Sequence, residues 1–449
     1  MGHRLPRPRS EDEQKGITVV FHPREGRNPQ RSIRGLTRRD FLLRASALGV
    51  SLPTLSAILA ACGEGDQIGD GVEIAIGTPS SPVSQPLFED VSAIESGLPS
   101  EEGPLRIYNW ADYISPDVLP MAEEALGVPI EVTIFYNEEE AFAKLLSGEL
   151  SFDVWFPAGE SIGKAVAGKL IQPLNHDYLP NLGQYVWPQL VSPFYDQGSQ
   201  YTVPYVVYQT GIGWRNDLVD ATDIEGLANP WDVFWNPKYK GITGLYDDFR
   251  ETMQMAMFRA GIAEPREASA DQVAAAADSL IELVDLMDIV YRIDGAYQGI
   301  PEGRFGLHLA WSGDMVNSQY YFPEGGDTSV LDYIWPARAP GSTVRGLVAN
   351  DTMAIVRGAE HPVLAHNFLN WMLDEANALE NFAWLGYQPP QINLDPDSLV
   401  TDEWIPENLA AAAVTEEDFA HSQAVVPTQL TPETEALWLD NWNRAVAGG

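Results

Sequence analysis

Aromatic residues and carboxylates stand side by side at several points of this 449-residue chain. The fullest runs are Asn109-Trp110-Ala111-Asp112-Tyr113, Tyr246-Asp247-Asp248-Phe249-Arg250-Glu251 and Trp311-Ser312-Gly313-Asp314, and Asn350-Asp351 and Gly386-Tyr387 add one acid and one ring. A carboxylate walled by aromatic faces suits an organic cation. The acid pairs with an ammonium, and the ring attracts the charge while covering the attached methylenes. Micromolar capture needs about −8 kcal/mol. One charge-assisted hydrogen bond nets roughly 1.5–3 kcal/mol, and a desolvated cation–π contact about 2 kcal/mol. Two or three acids and two or three rings are therefore needed to exceed the entropic cost of capture. Any one of these residues is equally compatible with a core ring or a solvated acid; the signal lies in the set.

Catalytic motifs do not compete with this pattern. The seven histidines form no His-Glu-x-x-His, and no Gly-x-Ser-x-Gly elbow occurs. His361 and His366, five apart, fall on different faces of a helix. No glycine-rich phosphate loop follows any expected strand, so no nucleotide cofactor is implied. The single cysteine excludes an internal disulfide and a Cys-rich zinc site. Asp247-Asp248 could serve glycoside hydrolysis in principle, but among 64 acidic residues a carboxylate pair carries little information. The expectation is a solute-binding protein with no cofactor and no catalytic or metal-binding residues. The open alternatives are a protein for another cationic or small organic solute, and a hydrolase using the same carboxylates.

The elements that must position these groups are legible from periodicity. Leu105-Arg106-Ile107-Tyr108 begins a strand, Ser115-Pro116-Asp117 opens an amphipathic helix, and 129–135 alternates as a strand. Residues 138–146 read as a helix and 152–156 as a strand. Further on, strands are expected at 241–246, 307–311 and 352–356, and helices at 250–260, 268–285 and 361–378. Alternation of this kind indicates an α/β fold with a parallel sheet covered by helices. Ligands of such folds bind outside the carboxyl ends of the strands, where the acid and ring runs fall.

The N-terminal part reads as an address. Thr37-Arg38-Arg39-Asp40-Phe41-Leu42 resembles a twin-arginine export motif. The uncharged run 45–61 is short for a span of about 20 residues and contains Pro53. It ends in Leu59-Ala60-Ala61-Cys62-Gly63, which resembles a bacterial lipobox. This predicts a signal over 1–61, a lipid anchor on Cys62, and an exported, membrane-anchored protein. Residues 62–103, rich in Gly, Pro, Ser, Asp and Glu, predict a flexible tether.

Charge narrows the partners. From Cys62 onward there are 59 acidic and 16 basic residues. No nucleic acid is expected as a partner, because phosphates need a basic face. An acidic field keeps a protein soluble and concentrates cations near it.

Several of these motifs occur in one order along the chain: Leu105 to Tyr113, Thr202-Val203-Pro204-Tyr205, Pro237-Lys238-Tyr239-Lys240-Gly241, Asp247 to Glu251, Glu302-Gly303 leading to Trp311, and Leu385 to Pro389. Residues 104–449 thereby resemble the spermidine/putrescine-binding proteins of bacterial ABC importers. The resemblance implies a monomer with two α/β lobes joined by crossing hinge segments and a polyamine in the cleft, delivered to an ABC permease in the membrane. It implies lobe 1 from 104–209 and 351–395, and lobe 2 from 210–350 and 396–449. Carried over by motif, Trp110, Asp112 and Tyr113 wall the first lobe's side, Asp248 and Glu251 come from the second, and Trp311 stacks on the methylenes. Asp314, Asp351, Tyr387 and Asn443 complete the set. Two departures stand out. Where the family shows Pro-Ser-x-Tyr, this chain has Pro157-Ala158-Gly159-Glu160, and Ala349 stands where a Trp is common. The first makes Glu160 an added partner for an amine; the second removes an aromatic wall.

Overall fold

In the computed structural model, Leu105–Trp110 (β1) and Ile130–Phe135 (β2) pair in parallel around Val118–Leu126 (α1). The structure describes residues 72–148, 150–339 and 341–447, with the backbone of two short strands, Cys62–Gly63 and Gln67–Ile68. The export signal expected over 1–61 and the Cys62 side chain lie outside the described residues. No helix among the described residues is long and apolar enough to cross a membrane.

Glu138–Ser147 (α2) begins where Asn137 accepts from the Glu140 N–H at 2.8 Å, and three glutamates occupy its first turn, the end the helix dipole favours for acids. Val154–Trp155 (β3) joins β1 on its other side, followed by Ile162–Ala167 (α3). Thr202–Arg215 (β4) is a 14-residue strand buried along nearly its whole length. The second half of the chain adds Thr243–Leu245 (β5), Phe249–Arg259 (α4), Ala270–Met287 (α5), Val290–Tyr291 (β6), Leu307–Trp311 (β7), Ser312–Asn317 (α6), Leu331–Ile334 (β8) and Gly346–Ile355 (β9). Pro362–Met372 (α7), Glu375–Leu385 (α8), Ala424–Val425 (β10) and Pro432–Ala447 (α9) follow, with shorter helical segments between these elements.

The strands run in the order β2-β1-β3-β9-β4-β7-β5-β6, with β8 on β4 and β10 on β9. Two lobes share this sheet. In the first, β1, β2 and β3 are parallel; in the second, β5 is parallel to both β6 and β7. Between them β4 and β9 run antiparallel, from Leu347 opposite Thr210 to Ala354 opposite Thr202, and cross from lobe to lobe. The wholly parallel sheet expected from the sequence is thus corrected to a mixed one. Alternation reports which faces are buried, and a strand buried on both faces reads the same in either direction.

Two further expectations change. The single helix expected over 361–378 is two helices, because the Asp374 side chain accepts from the N–H groups of Ala376 and Asn377 and starts α8 afresh. The tether expected over 62–103 is fastened to the first lobe from Ile74 onward. Val83 N–H donates to Phe194 O at 2.8 Å, Gln85 Nε2 to Tyr195 O at 2.7 Å, and Tyr201 OH to Pro86 O at 2.6 Å. Glu101 accepts from the first free N–H groups of α7, at Val363 and Leu364. Polar composition identified the segment as short of core-forming residues, but hydrogen bonds to the lobe's loops hold it.

Candidate functional site

A cavity of about 1120 Å3 opens between the lobes, and the chain enters it at the carboxyl ends of β1, β3, β5 and β7. Of the eleven ligand-binding residues expected from the sequence, ten line it: Trp110, Asp112, Tyr113, Glu160, Asp248, Glu251, Trp311, Asp314, Asp351 and Tyr387. Asn443 does not. It is exposed on α9, whose Trp438, Trp442 and Ala445 face the core, and the step from Trp442 turns its side chain about 100° away.

Local sequence aims each group. Asp112 sits in the left-handed region at φ 52°, which aspartate tolerates better than most residues. Asn109 holds this turn, donating from Nδ2 to Tyr113 O and accepting from Trp110 N–H. Asp248 caps α4 by accepting from the Glu251 N–H at 3.0 Å, which fixes both acids on one turn. Asp351 lies at a bulge: it pairs with Val206 while Thr352 pairs with Pro204. Pro204 has no N–H to give the ladder, and the extra residue re-aims the strand at the cavity. Gly313 allows the ring of Tyr387 to lie on the start of α6; a methyl there would overlap it.

Tyrosine hydroxyls hold the two innermost acids. Asp314 accepts from Tyr387 at 2.6 Å and from Tyr246 at 2.7 Å. Tyr246 in turn stacks on Trp311, ring centroids 4.0 Å apart, and its hydroxyl accepts from the Trp311 backbone N–H at 2.8 Å. Asp351 accepts from Tyr113 at 2.8 Å and more distantly from Tyr208. Tyr113 and Tyr387 meet edge to face at 5.0 Å, so two tyrosines in contact lie between Asp314 and Asp351. The acids are thereby strung along a cavity walled by Trp110, Tyr113, Tyr208, Trp311 and Tyr387. Among the described residues no group of three or more His, Cys, Asp or Glu converges to hold a metal ion.

Burial makes these acids reluctant to ionise. It pushes Asp314 up to about 7 against the help of its two tyrosines, and Asp351 well above the carboxylate range. Glu251 rises to about 8 through burial and the neighbouring Asp248, which itself rises to about 6. Glu251 Oε2 is buried without a hydrogen-bond partner among the described residues, although Trp311 and Thr210 lie beside it. An organic cation would supply what burial removed: a counter-charge and donors.

Three contributors escaped the sequence reading. At the level of Ala349 the ring comes from Tyr208, its cross-strand partner, which lines the cavity. Beside Ala158 the missing hydroxyl is replaced by Glu138, whose carboxylate accepts from Ala158 N–H at 3.0 Å and from Ser161 Oγ. Burial pushes Glu138 up to about 7. Arg250 bridges the lobes, binding Glu139 of α2 at 3.2 Å and Glu435 of α9 at 2.8 Å, while Lys164 of α3 reaches Glu435 at 3.2 Å. Cross-strand register and pairing between distant segments leave no trace in local periodicity.

The model of the bacterial extracellular solute-binding proteins matches residues 120–409. A spermidine/putrescine-binding periplasmic protein of Escherichia coli is 24% identical over 343 residues, covering 71% of this chain and 91% of that protein. A putrescine/cadaverine-binding protein of Pseudomonas aeruginosa is 25% identical over 290 residues, covering 64% and 79%. Among crystal structures, a spermidine/putrescine ABC transporter substrate-binding protein of Streptococcus pneumoniae superposes with a TM-score of 0.58 at 21% identity, covering 77% of this chain and 98% of that one. A lipoprotein of Treponema pallidum gives 0.60 at 20% identity, covering 76% and 98%. These structures share the two-lobed fold.

Proposed function

The chain belongs to the bacterial extracellular solute-binding protein family, and on that premise we propose that it captures a linear polyamine of the putrescine and spermidine class for an ABC importer. One observation carries this reading. Asp314 and Asp351 lie in one aromatic-walled cavity, each gripped by tyrosine hydroxyls, with two tyrosines between them. A ligand with ammonium groups at separated positions and methylenes between meets acids where it is charged and rings where it is apolar. The polyamine names of the relatives support the same class.

Trp110 and Trp311 flank the methylene chain, Asp112 and Asp314 take one ammonium, and Glu251 and Asp351 take another. Capture proceeds by closure of the lobes about β4 and β9, and a membrane permease then receives the ligand; no bond is made or broken. The Arg and lipobox motifs support export and anchorage at Cys62, which keeps the protein beside its permease.

A thermal-shift screen of the purified protein against putrescine, spermidine, spermine and agmatine tests the reading. A ligand at a hundredfold excess over its Kd adds about 2.7 kcal/mol, a rise of several degrees. No shift with any amine at millimolar concentration would sink it. A shift with a different class of solute would move the reading to that class.

A further inference from the structure

Asp351 sits where its own sheet holds it least. The pairing of β4 with β9 shifts between Asp351 and Thr352, and Pro204 has no N–H to give the ladder there. Support comes from other segments. Thr352 donates to Pro157 O from its N–H at 3.0 Å and from its hydroxyl at 2.9 Å, and Ala158 bridges Asp351, so β9 is stitched to the turn that carries Glu160. Tyr195 closes on both. Its hydroxyl accepts from Asn350 Nδ2 at 2.6 Å, and its ring lies so near Gly159 that a methyl there would come within 3.0 Å of it. Successive residues of a strand face opposite ways. Asp351 lines the cavity and the buried Asn350 does not, so Tyr195 grips β9 on the face away from the ligand.

What pins Tyr195 is a segment ahead of residues 120–409, the stretch that the family model matches. Val83 N–H donates to Phe194 O at 2.8 Å, and Gln197 N–H to Val83 O at 2.9 Å. The buried Gln85 donates from Nε2 to Tyr195 O at 2.7 Å and to Ala75 O at 3.3 Å. Gly77 permits the close approach, since a methyl on it would overlap Phe194 O. Thr78, Pro79 and Ser80 wall a cavity of about 260 Å3 that Glu160 and Arg250 share with the ligand cavity. The segment thus reaches the site by two routes.

We propose that residues 74–86 form a strap belonging to the binding apparatus, and that Tyr195 is the positioning residue through which the strap aims Asp351. The inference rests on the amine reading of the cavity. A stretch whose composition reads as a tether thereby sets ligand affinity.

Titration calorimetry of the purified protein with spermidine tests it. Tyr195→Phe keeps the ring on Gly159 and removes the acceptor of Asn350; Gln85→Ala releases the Tyr195 carbonyl. Each should weaken binding by about tenfold. The two residues act along one line of contacts, so the double variant should lose far less than the roughly hundredfold of independent effects. Glu101→Ala frees the far end of the segment from α7; it should lower the melting temperature and leave the affinity in place. Melting curves identify any variant that fails to fold, and Tyr195→Phe then decides alone. Affinity unmoved by Tyr195→Phe, effects of Tyr195→Phe and Gln85→Ala that multiply in full, or an equal loss of affinity in Glu101→Ala overturn the strap's part while leaving the polyamine function standing. A wild-type protein that binds no amine overturns both.

Discussion

Raising the pH from 6 to 8 should tighten polyamine binding steeply. The cavity acids are held protonated by burial: Glu251 titrates at about 8 and Asp314 at about 7 in the free protein. An ammonium binds the ionised carboxylate, so the protein must lose these protons as the ligand enters. The ionised fraction of a group at 7 grows about tenfold between pH 6 and 8, and that of a group at 8 about fiftyfold. If both must ionise and do so independently, the affinity rises about five-hundredfold, and coupling between neighbours reduces this. The sign for stability is opposite. Both groups bind protons more tightly folded than unfolded, so the free protein loses stability as pH rises through 7 and 8, and ligand restores it. Calorimetry at pH 6, 7 and 8, repeated in phosphate and in Tris, reads both the affinity and the protons released. The expected result is release of about one to two protons near pH 6.5. An affinity that stays flat from pH 6 to 8 with no proton release would show these acids already ionised, and would refute the part assigned to burial.

Three other perturbations follow from the same geometry. Gly313→Ala places a methyl against the Tyr387 ring; it should displace the Asp314–Tyr387 contact and lower polyamine affinity by about tenfold or more, seen by calorimetry. Tyr113→Phe removes the 2.8 Å donor to Asp351, so binding should weaken about tenfold and its pH dependence should move to higher pH. Glu435→Gln takes the shared acid from Arg250 and Lys164, which hold it low despite its burial. That should cost the closed arrangement roughly 1–3 kcal/mol, seen as a larger radius of gyration in X-ray scattering and faster ligand release.

The candidate site was legible where its chemistry is local. Trp110 ends one strand and Asp112 and Tyr113 follow it within three residues, and Asp248 and Glu251 share a capped turn, so a motif carries the geometry with it. What was not legible depends on pairing across the fold. Tyr208 faces the cavity because of its register against Ala349 on a strand more than a hundred residues away. Arg250 reads as a helix residue in sequence and becomes an interlobe bridge only when α2 and α9 meet it. Asn443 lies outside the cavity for a related reason: a position inferred near a chain end depends on helix phase, which the placement of Trp438 and Trp442 in the core decides. The crossing strands β4 and β9 are buried on both faces, so neither direction nor partner could be read from their composition.

Equilibrium binding of spermidine to the purified protein at pH 8, compared with the Asp314→Asn/Asp351→Asn double variant, addresses the central claim most directly. The two acids in one ring-lined cavity predict saturation at one ligand per chain, with micromolar or tighter affinity that the double variant loses by a hundredfold or more, roughly one charge-assisted contact at each acid. Undiminished binding by that variant, or no saturable binding of any polyamine by the wild-type chain, would contradict it.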